Sequence, residues 1–201
     1  NGFGAHRIEG IGDKHVPWIH NVKNTDLVVA IDDEAVVALA RLFNEPAGQA
    51  YLAKQGVPAA VISQLDLLGF SGISNLLTAI KMAKYYEMGE QDVVLTVLTD
   101  SMELYASRLK EMHEQYGEYS DRDAVAHYAR YLMGQGEDGL KELTYPDRRR
   151  IHNLKYFTWV EQQGKTFDEI RSQWYDTEYW TRVQRLTPHI DALIEEFNAE
   201  V

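Results

Sequence analysis

From Asp26 to about Tyr116, apolar runs of strand length alternate with runs of helical period, and no other feature narrows the possible folds so far. Leu27-Val28-Val29-Ala30-Ile31 is β-branched, and Asp32-Asp33-Glu34 then supply acidic N-cap residues for a helix through Val36, Leu39, Ala40 and Phe43. A second helix is expected over Pro46–Lys54, and Leu65–Phe70 reads as the next short strand. A helix from Ser74 follows, with Leu77, Ile80, Ala83 and Lys84 at helical spacing. Val93-Val94-Leu95-Thr96-Val97-Leu98 is the cleanest strand of all. Strands that alternate with helices imply a parallel sheet, which binds ligands in the loops at its carboxyl edge.

Beyond Gly117 the strand signals stop. Ser120-Asp121-Arg122-Asp123 and Thr166-Phe167-Asp168-Glu169 fit capping boxes, and Thr187-Pro188 places a cap before a proline in a first turn. Ile190, Leu193, Ile194 and Phe197 give the last helix one apolar stripe. Tyr156, Phe157, Trp159, Trp174, Tyr175, Tyr179 and Trp180 supply packing groups ahead of it, and burial of this segment is expected. The expected organisation is α/β over residues 1–117 and an all-helical carboxyl-terminal extension over 118–201.

The chain has no cysteine, which excludes a disulfide framework, a thiolate metal site and a cysteine nucleophile. A net charge of -11 argues against a nucleic-acid partner, because phosphate binding needs a concentrated positive face. Arg148-Arg149-Arg150 is too local to reverse this and reads as a solvated helix face. No apolar run is long enough to span a bilayer and no basic-then-apolar leader is seen, so a cytoplasmic protein is expected. Asn1-Gly2-Phe3-Gly4-Ala5-His6-Arg7 reads as the middle of a loop, as if the chain began inside a larger protein.

Three loops at expected strand ends share a composition. They are Glu9-Gly10-Ile11-Gly12, Gly69-Phe70-Ser71-Gly72-Ile73-Ser74 and Thr99-Asp100-Ser101. Glycine lets backbone approach a flat ligand, and hydroxyls offer it neutral hydrogen bonds. Taken in order, His6–Gly12, Val16-Pro17, Ala40-Arg41-Leu42, the glycine-serine loop, Val93–Leu98 and Thr99-Asp100-Ser101 leading to Tyr105 form a collinear set. Over residues 6–108 this set resembles the carboxyl-terminal half of the cysteine synthase and cystathionine β-synthase family, pyridoxal phosphate (PLP) enzymes of the tryptophan synthase β-like fold.

The resemblance implies a partial parallel sheet with flanking helices, and β-elimination or β-replacement on a small amino-acid substrate. It places Gly10, Ile11 and Gly12 along the cofactor ring, Ser71 on the ring nitrogen, and Asp100 and Ser101 on the same side. It also implies that the Schiff-base lysine, the substrate-carboxylate loop and the phosphate cradle lie upstream, in a missing amino-terminal half, so that no catalytic residue is expected here and this chain alone is inactive. A homodimer is expected. The sequence departs from the family in its longer connection between Glu45 and Leu67 and in the displaced glycine of the second loop. A noncatalytic subunit or regulatory relative acting in assembly is the alternative.

Other readings carry less. Lys14, Lys81, Lys84 and Lys155 stand in no family lysine motif and read as solvated or helix-face residues. His6, His15 and His20 with Asp13 lack the spacing of a helical metal pair, so no metal is expected. Ser71 lacks the Gly-x-Ser-x-Gly elbow of a hydrolase.

Overall fold

The computed structural model describes residues 6–8, 10–12 and 15–200. Its elements are β1 (Leu27–Val29), α1 (Asp33–Asn44), α2 (Pro46–Lys54), α3 (Ala59–Ile62), α4 (Phe70–Tyr85), α5 (Ala106–Tyr116) and α6 (Asp121–His127), followed by β2 (Leu140–Glu142), α7 (Tyr145–Asn153), α8 (Phe167–Tyr175), α9 (Tyr179–Gln184) and α10 (Thr187–Glu200). Two compact units result, one of residues 1–12 and 29–141, the other of 13–28 and 142–201. The chain passes between them within β1 and β2, which pair as a two-stranded sheet. Their pairing is antiparallel, since the Ala30 N–H donates to the Gly139 carbonyl and the Leu143 N–H to that of Asp26.

This corrects the expected α/β class. Among the described residues there is no parallel sheet, and helices dominate both units. Leu65–Phe70 is not a strand: a 3-10 turn spans Leu65–Leu67 and α4 already begins at Phe70. Val93–Leu98 takes no regular structure. The physical reasons differ. Leu65–Phe70 holds no β-branched residue, and Gly69 is the N-cap of α4. Val93–Leu98 is β-branched, but that composition describes a fit to a pleated surface, and without neighbouring strands there is no such surface to fit.

The first unit is organised by α1. Asp32 caps it by accepting from the Glu34 N–H, and Asp33 and Glu34 place negative charge on its first turn. Every residue from Ala35 to Phe43 is buried, as befits a helix that is apolar nearly all round. Around it pack α2, α4, α6 and a π-type turn over Tyr128–Met133. At the crossing with α2, a Cβ on Gly48 would lie 2.1 Å from the Leu42 carbonyl oxygen, so only glycine admits this approach.

The second unit is built around Lys155. Its ammonium is fully buried and donates to the carbonyls of Trp18 (2.8 Å) and His20 (2.8 Å) and to Gln173 Oε1 (2.7 Å), beneath the Trp180 ring at 5.5 Å. Burial pushes its pKa down to about 8. His152 is likewise buried and held neutral, its pKa lowered to about 4, while Nε2–H donates to the Ile170 carbonyl at 3.1 Å. Trp18 and Trp159 pack at 5.7 Å, and Trp159 Nε1 donates to the Val16 carbonyl. Burial of the aromatic segment is uneven: Trp174 is buried, whereas Phe157, Phe167 and Tyr175 are exposed. Capping boxes start α6, α7 and α8 at Ser120, Thr144 and Thr166.

Two outcomes follow for stability. Gly48→Ala should lower the unfolding free energy by about 3 kcal/mol, since backbone must move to admit the methyl; denaturant titration of the variant reads it. Lys155 carries a lowered pKa in the folded state, so between about pH 8 and its ordinary 10.5 the unfolded chain binds more protons, and stability should rise with pH there. Below that window the lysine adds no slope. Lys155→Met should remove the alkaline rise, and should destabilise at neutral pH because three acceptors lose their donor; chemical denaturation across pH compares the two proteins.

Candidate functional site

The three loops singled out in the sequence lie in the first unit, where the second adjoins the first at a cavity and the third through a hydrogen bond. Gly10 and Gly12 both have positive φ, +85° and +81°, so the first loop needs glycine at each. Ile11 and Gly12 line a cavity of about 270 Å³ together with Ser74, Asn75 and Thr78 of α4. Ala30, Ile31 and Asp33 complete it from the β1–α1 junction, with His6 and Ile8 on the remaining side. Glu9, Asp13 and Lys14 lie outside the described residues.

The second and third loops are joined directly. The Gly69 N–H donates to the Asp100 carbonyl at 2.9 Å, and a Cβ on Gly69 would lie 2.5 Å from that oxygen. Phe70 stacks on Tyr105 with ring centroids 4.8 Å apart. The Asp100 carboxylate accepts from the hydroxyls of Thr99 and Tyr105, which hold it below the usual carboxylate range. Ser101 stands directly before the 3-10 turn Met102–Tyr105. Ser71 is buried in the first turn of α4, one turn before Ser74, and does not line the cavity. Of the six residues assigned to a ring, then, Ile11 and Gly12 face the cavity; Gly10 is exposed beside it, and Asp100 and Ser101 are tied to the second loop.

The cavity wall carries two hydroxyls and an amide; Thr78 Oγ1 donates to the Ser74 carbonyl at 3.0 Å and Asn75 Nδ2 to that of Val97 at 2.9 Å, which leaves their oxygens as acceptors for the edge of a planar, neutral ring. It does not suit the two other ends of PLP. No described lysine lines it: Lys81 donates to the Asp138 carbonyl (2.8 Å) and carboxylate (3.1 Å), Lys84 to the Gln135 carbonyl, and Lys155 lies in the second unit. Asp33 would repel a phosphate. The described residues therefore fit the ring of such a group and neither its aldehyde nor its phosphate.

A denser group of titratable side chains went unnoticed in the sequence. Arg41, Asp123 and His127 line a second cavity of about 230 Å³, with Tyr119 beside them. Arg41 is buried, donates to the Gly117 carbonyl at 2.6 Å, and sits over the Tyr119 ring. Tyr119 and His127 Nδ1 are 3.1 Å apart. Burial lowers the His127 pKa and raises that of Tyr119, so the imidazole is neutral and accepts from the phenol, while its other nitrogen donates to the Ala38 carbonyl. Both ring nitrogens are engaged, which makes this a packing device. The sequence did hold a signal, since Asp123 and His127 stand four residues apart on α6.

Among the described residues, no three histidines, aspartates or glutamates are grouped to hold a metal ion. No described helix is long and apolar enough to cross a membrane. Comparison with protein-family models, with curated proteins and with solved structures finds no match.

The Gly69 contact makes the loop junction testable. Gly69→Ala should cost about 2 kcal/mol of stability and loosen the Thr99–Ser101 loop, because the obstacle is backbone. Gly89→Ala, where the methyl meets nothing within 4 Å, should stay within about 0.5 kcal/mol of wild type. Equal effects in the two variants would remove the junction from the account.

Proposed function

We propose that this chain is the carboxyl-terminal portion of a cytoplasmic, homodimeric PLP-dependent enzyme of amino-acid metabolism, which catalyses β-elimination and β-replacement on a small amino acid. The observation that supports the reading is that the second loop adjoins both of the others, the first across the cavity at Ser74 and the third through the Gly69 N–H on the Asp100 carbonyl. Sequence order and spatial adjacency are independent facts, and both are needed for the loops to act on one ligand.

In this reading Gly10, Ile11 and Gly12 border the ring; Ser71, Asp100 and Ser101, which do not line the cavity of the chain alone, come to its nitrogen and the same side only in the intact protein. PLP would supply the electron sink for carbanion chemistry. This chain's part is to hold the ring and set its character. A serine hydroxyl cannot keep a pyridine nitrogen protonated as a carboxylate does, and that moderates electron withdrawal in favour of elimination and replacement over transamination. The Thr99 and Tyr105 hydroxyls hold the Asp100 carboxylate ionised and in place. The lysine and the phosphate cradle belong, in this proposal, to polypeptide outside the 201 residues.

The lack of a cavity lysine among the described residues also favours a second reading, a noncatalytic relative that acts in assembly. One experiment separates the two. The 201-residue chain and the intact protein that contains it are each incubated with PLP, reduced with borohydride and mapped by mass spectrometry. The chain alone should give no adduct at a single defined lysine, whereas the intact protein should give one, outside this chain. In the intact protein Ser71→Ala should weaken PLP retention several-fold and shift the cofactor's absorption. An intact protein that traps no PLP supports the assembly role; stoichiometric trapping on Lys81 or Lys155, with turnover, would sink both.

A further inference from the structure

The expected strand Val93–Leu98 lies bare in this fold. Relative exposures are 77% for Val93, 91% for Leu95, 69% for Val97 and 48% for Leu98, with Thr96 also exposed. Four of the six residues are β-branched and none is charged. Natural proteins seldom leave such a run in water, because it is a template for pairing with another strand.

Its backbone is bare as well. Among the described residues no backbone-to-backbone hydrogen bond involves residues 93–98; the Val97 carbonyl accepts from Asn75 Nδ2 of α4 at 2.9 Å. Yet both ends are fastened. Before the segment, the Asp92 N–H donates to the Gly89 carbonyl at 3.1 Å, and the Gly89 N–H to Asp92 Oδ2 at 2.8 Å. After it, the Asp100 carbonyl accepts from the Gly69 N–H. On the α4 side, Leu98 packs near Gly72, where an added Cβ would lie 3.7 Å from its Cδ2. The segment is thus held between two pins and against one helix, which lowers the ordering entropy that a binding strand must otherwise lose.

Charge decides what pairs with it. Glu87, Glu90 and Asp92 precede the segment and Asp100 and Glu103 follow it, with no basic residue from Gly89 to Glu103. Pairing with a second copy would set acid beside acid in either orientation: Asp92 across from Asp92 if parallel, next to Asp100 if antiparallel. Like charges in such positions destabilise a sheet, and the net charge of -11 adds to the repulsion.

We infer that residues 93–98 are a docking strand that adds to the open sheet edge of a different polypeptide segment, one apolar along the paired stretch and basic at its ends. Backbone hydrogen bonds supply the affinity and the acidic flanks select against self-pairing. The assignment stands apart from the cofactor reading, since nothing in its test involves PLP.

The test is hydrogen–deuterium exchange on the full 201-residue chain, with a synthetic peptide of alternating valine and isoleucine flanked by lysines as probe. The amides of residues 93–98 should exchange freely in the chain alone and should slow about tenfold with the lysine-flanked peptide at saturation. A glutamate-flanked peptide should need about tenfold more for the same effect. Leu95→Lys and Thr96→Pro should both abolish the slowing; Leu95 is so exposed that its variant should keep the wild-type circular dichroism. Slow exchange in the free monomer, or no slowing with the lysine-flanked probe, would overturn the assignment. Concentration-dependent self-association abolished by Leu95→Lys would also overturn it, by identifying a second copy as the occupant.

Discussion

The burial of α1 on all sides is the constraint from which the rest of the first unit follows. A helix with no solvent face must be covered all round, and α2, α4, α6 and the turns at Leu65–Leu67 and Tyr128–Met133 do so. One of them can approach only where it carries Gly48. Complete burial also traps Arg41, near the helix end, where a guanidinium cannot be left without partners. Nη2 donates to the Gly117 carbonyl, the Glu45 carboxylate pairs with Nε at 3.6 Å without a hydrogen bond to it, and the Tyr119 face lies under the group, so the turn between α5 and α6 is tied to a charge on α1. Packing and electrostatics are here one requirement.

The same solution recurs with lysine in both units. Lys81 is buried in α4 and its ammonium is held by the Asp138 carbonyl and carboxylate within a glycine-rich turn; Lys155 is held by two carbonyls and an amide, with no carboxylate. Lys155, lacking an opposite charge, has its pKa depressed by burial, and the Asp138 carboxyl has its own lowered by the hydrogen bond from Lys81. A buried ammonium with several acceptors is a rigid cross-link between loops that lack regular structure. That role needs many donors on one atom, which apolar side chains cannot offer.

How much of this could be read from sequence depended on whether a signal was local. The start of α1 at Asp32 and the capping boxes at Ser120 and Thr166 were legible, because a cap is a contact between residues three apart. The strands were not, because pairing depends on residues far away: Leu27–Val29 found a short partner, Leu65–Leu67 closed into a 3-10 turn, and Val93–Leu98 found none. The loops of the candidate site could be named by composition and order, yet which side chains line the cavity is set by where α4 begins. A helix that begins at Phe70 rather than Ser74 puts Ser71 on the same face as Ser74, Asn75 and Thr78 but one turn nearer its start, so those three line the cavity and Ser71 does not. Lys155 escaped notice for the opposite reason. Lysine's base rate favours the surface, and its three acceptors lie 18 to 137 positions away.

The bare apolar elements have one property in common that bears on which surfaces they can meet. Val93–Leu98 is bracketed by Asp92 and Asp100. In α10, the stripe Ile190, Leu193, Ile194 and Phe197 is exposed and shares its helix with Asp191, Glu195, Glu196 and Glu200. Exposed apolar surface draws copies together through a short-ranged attraction that requires contact. Like charges beside that surface oppose the approach over about a Debye length, roughly 8 Å at physiological salt. The acids therefore act before the apolar groups can touch, and they act only between like partners. A surface carrying basic residues would meet attraction first and apolar contact second, so the same acidic flanks that keep copies apart sort the surfaces such elements can reach.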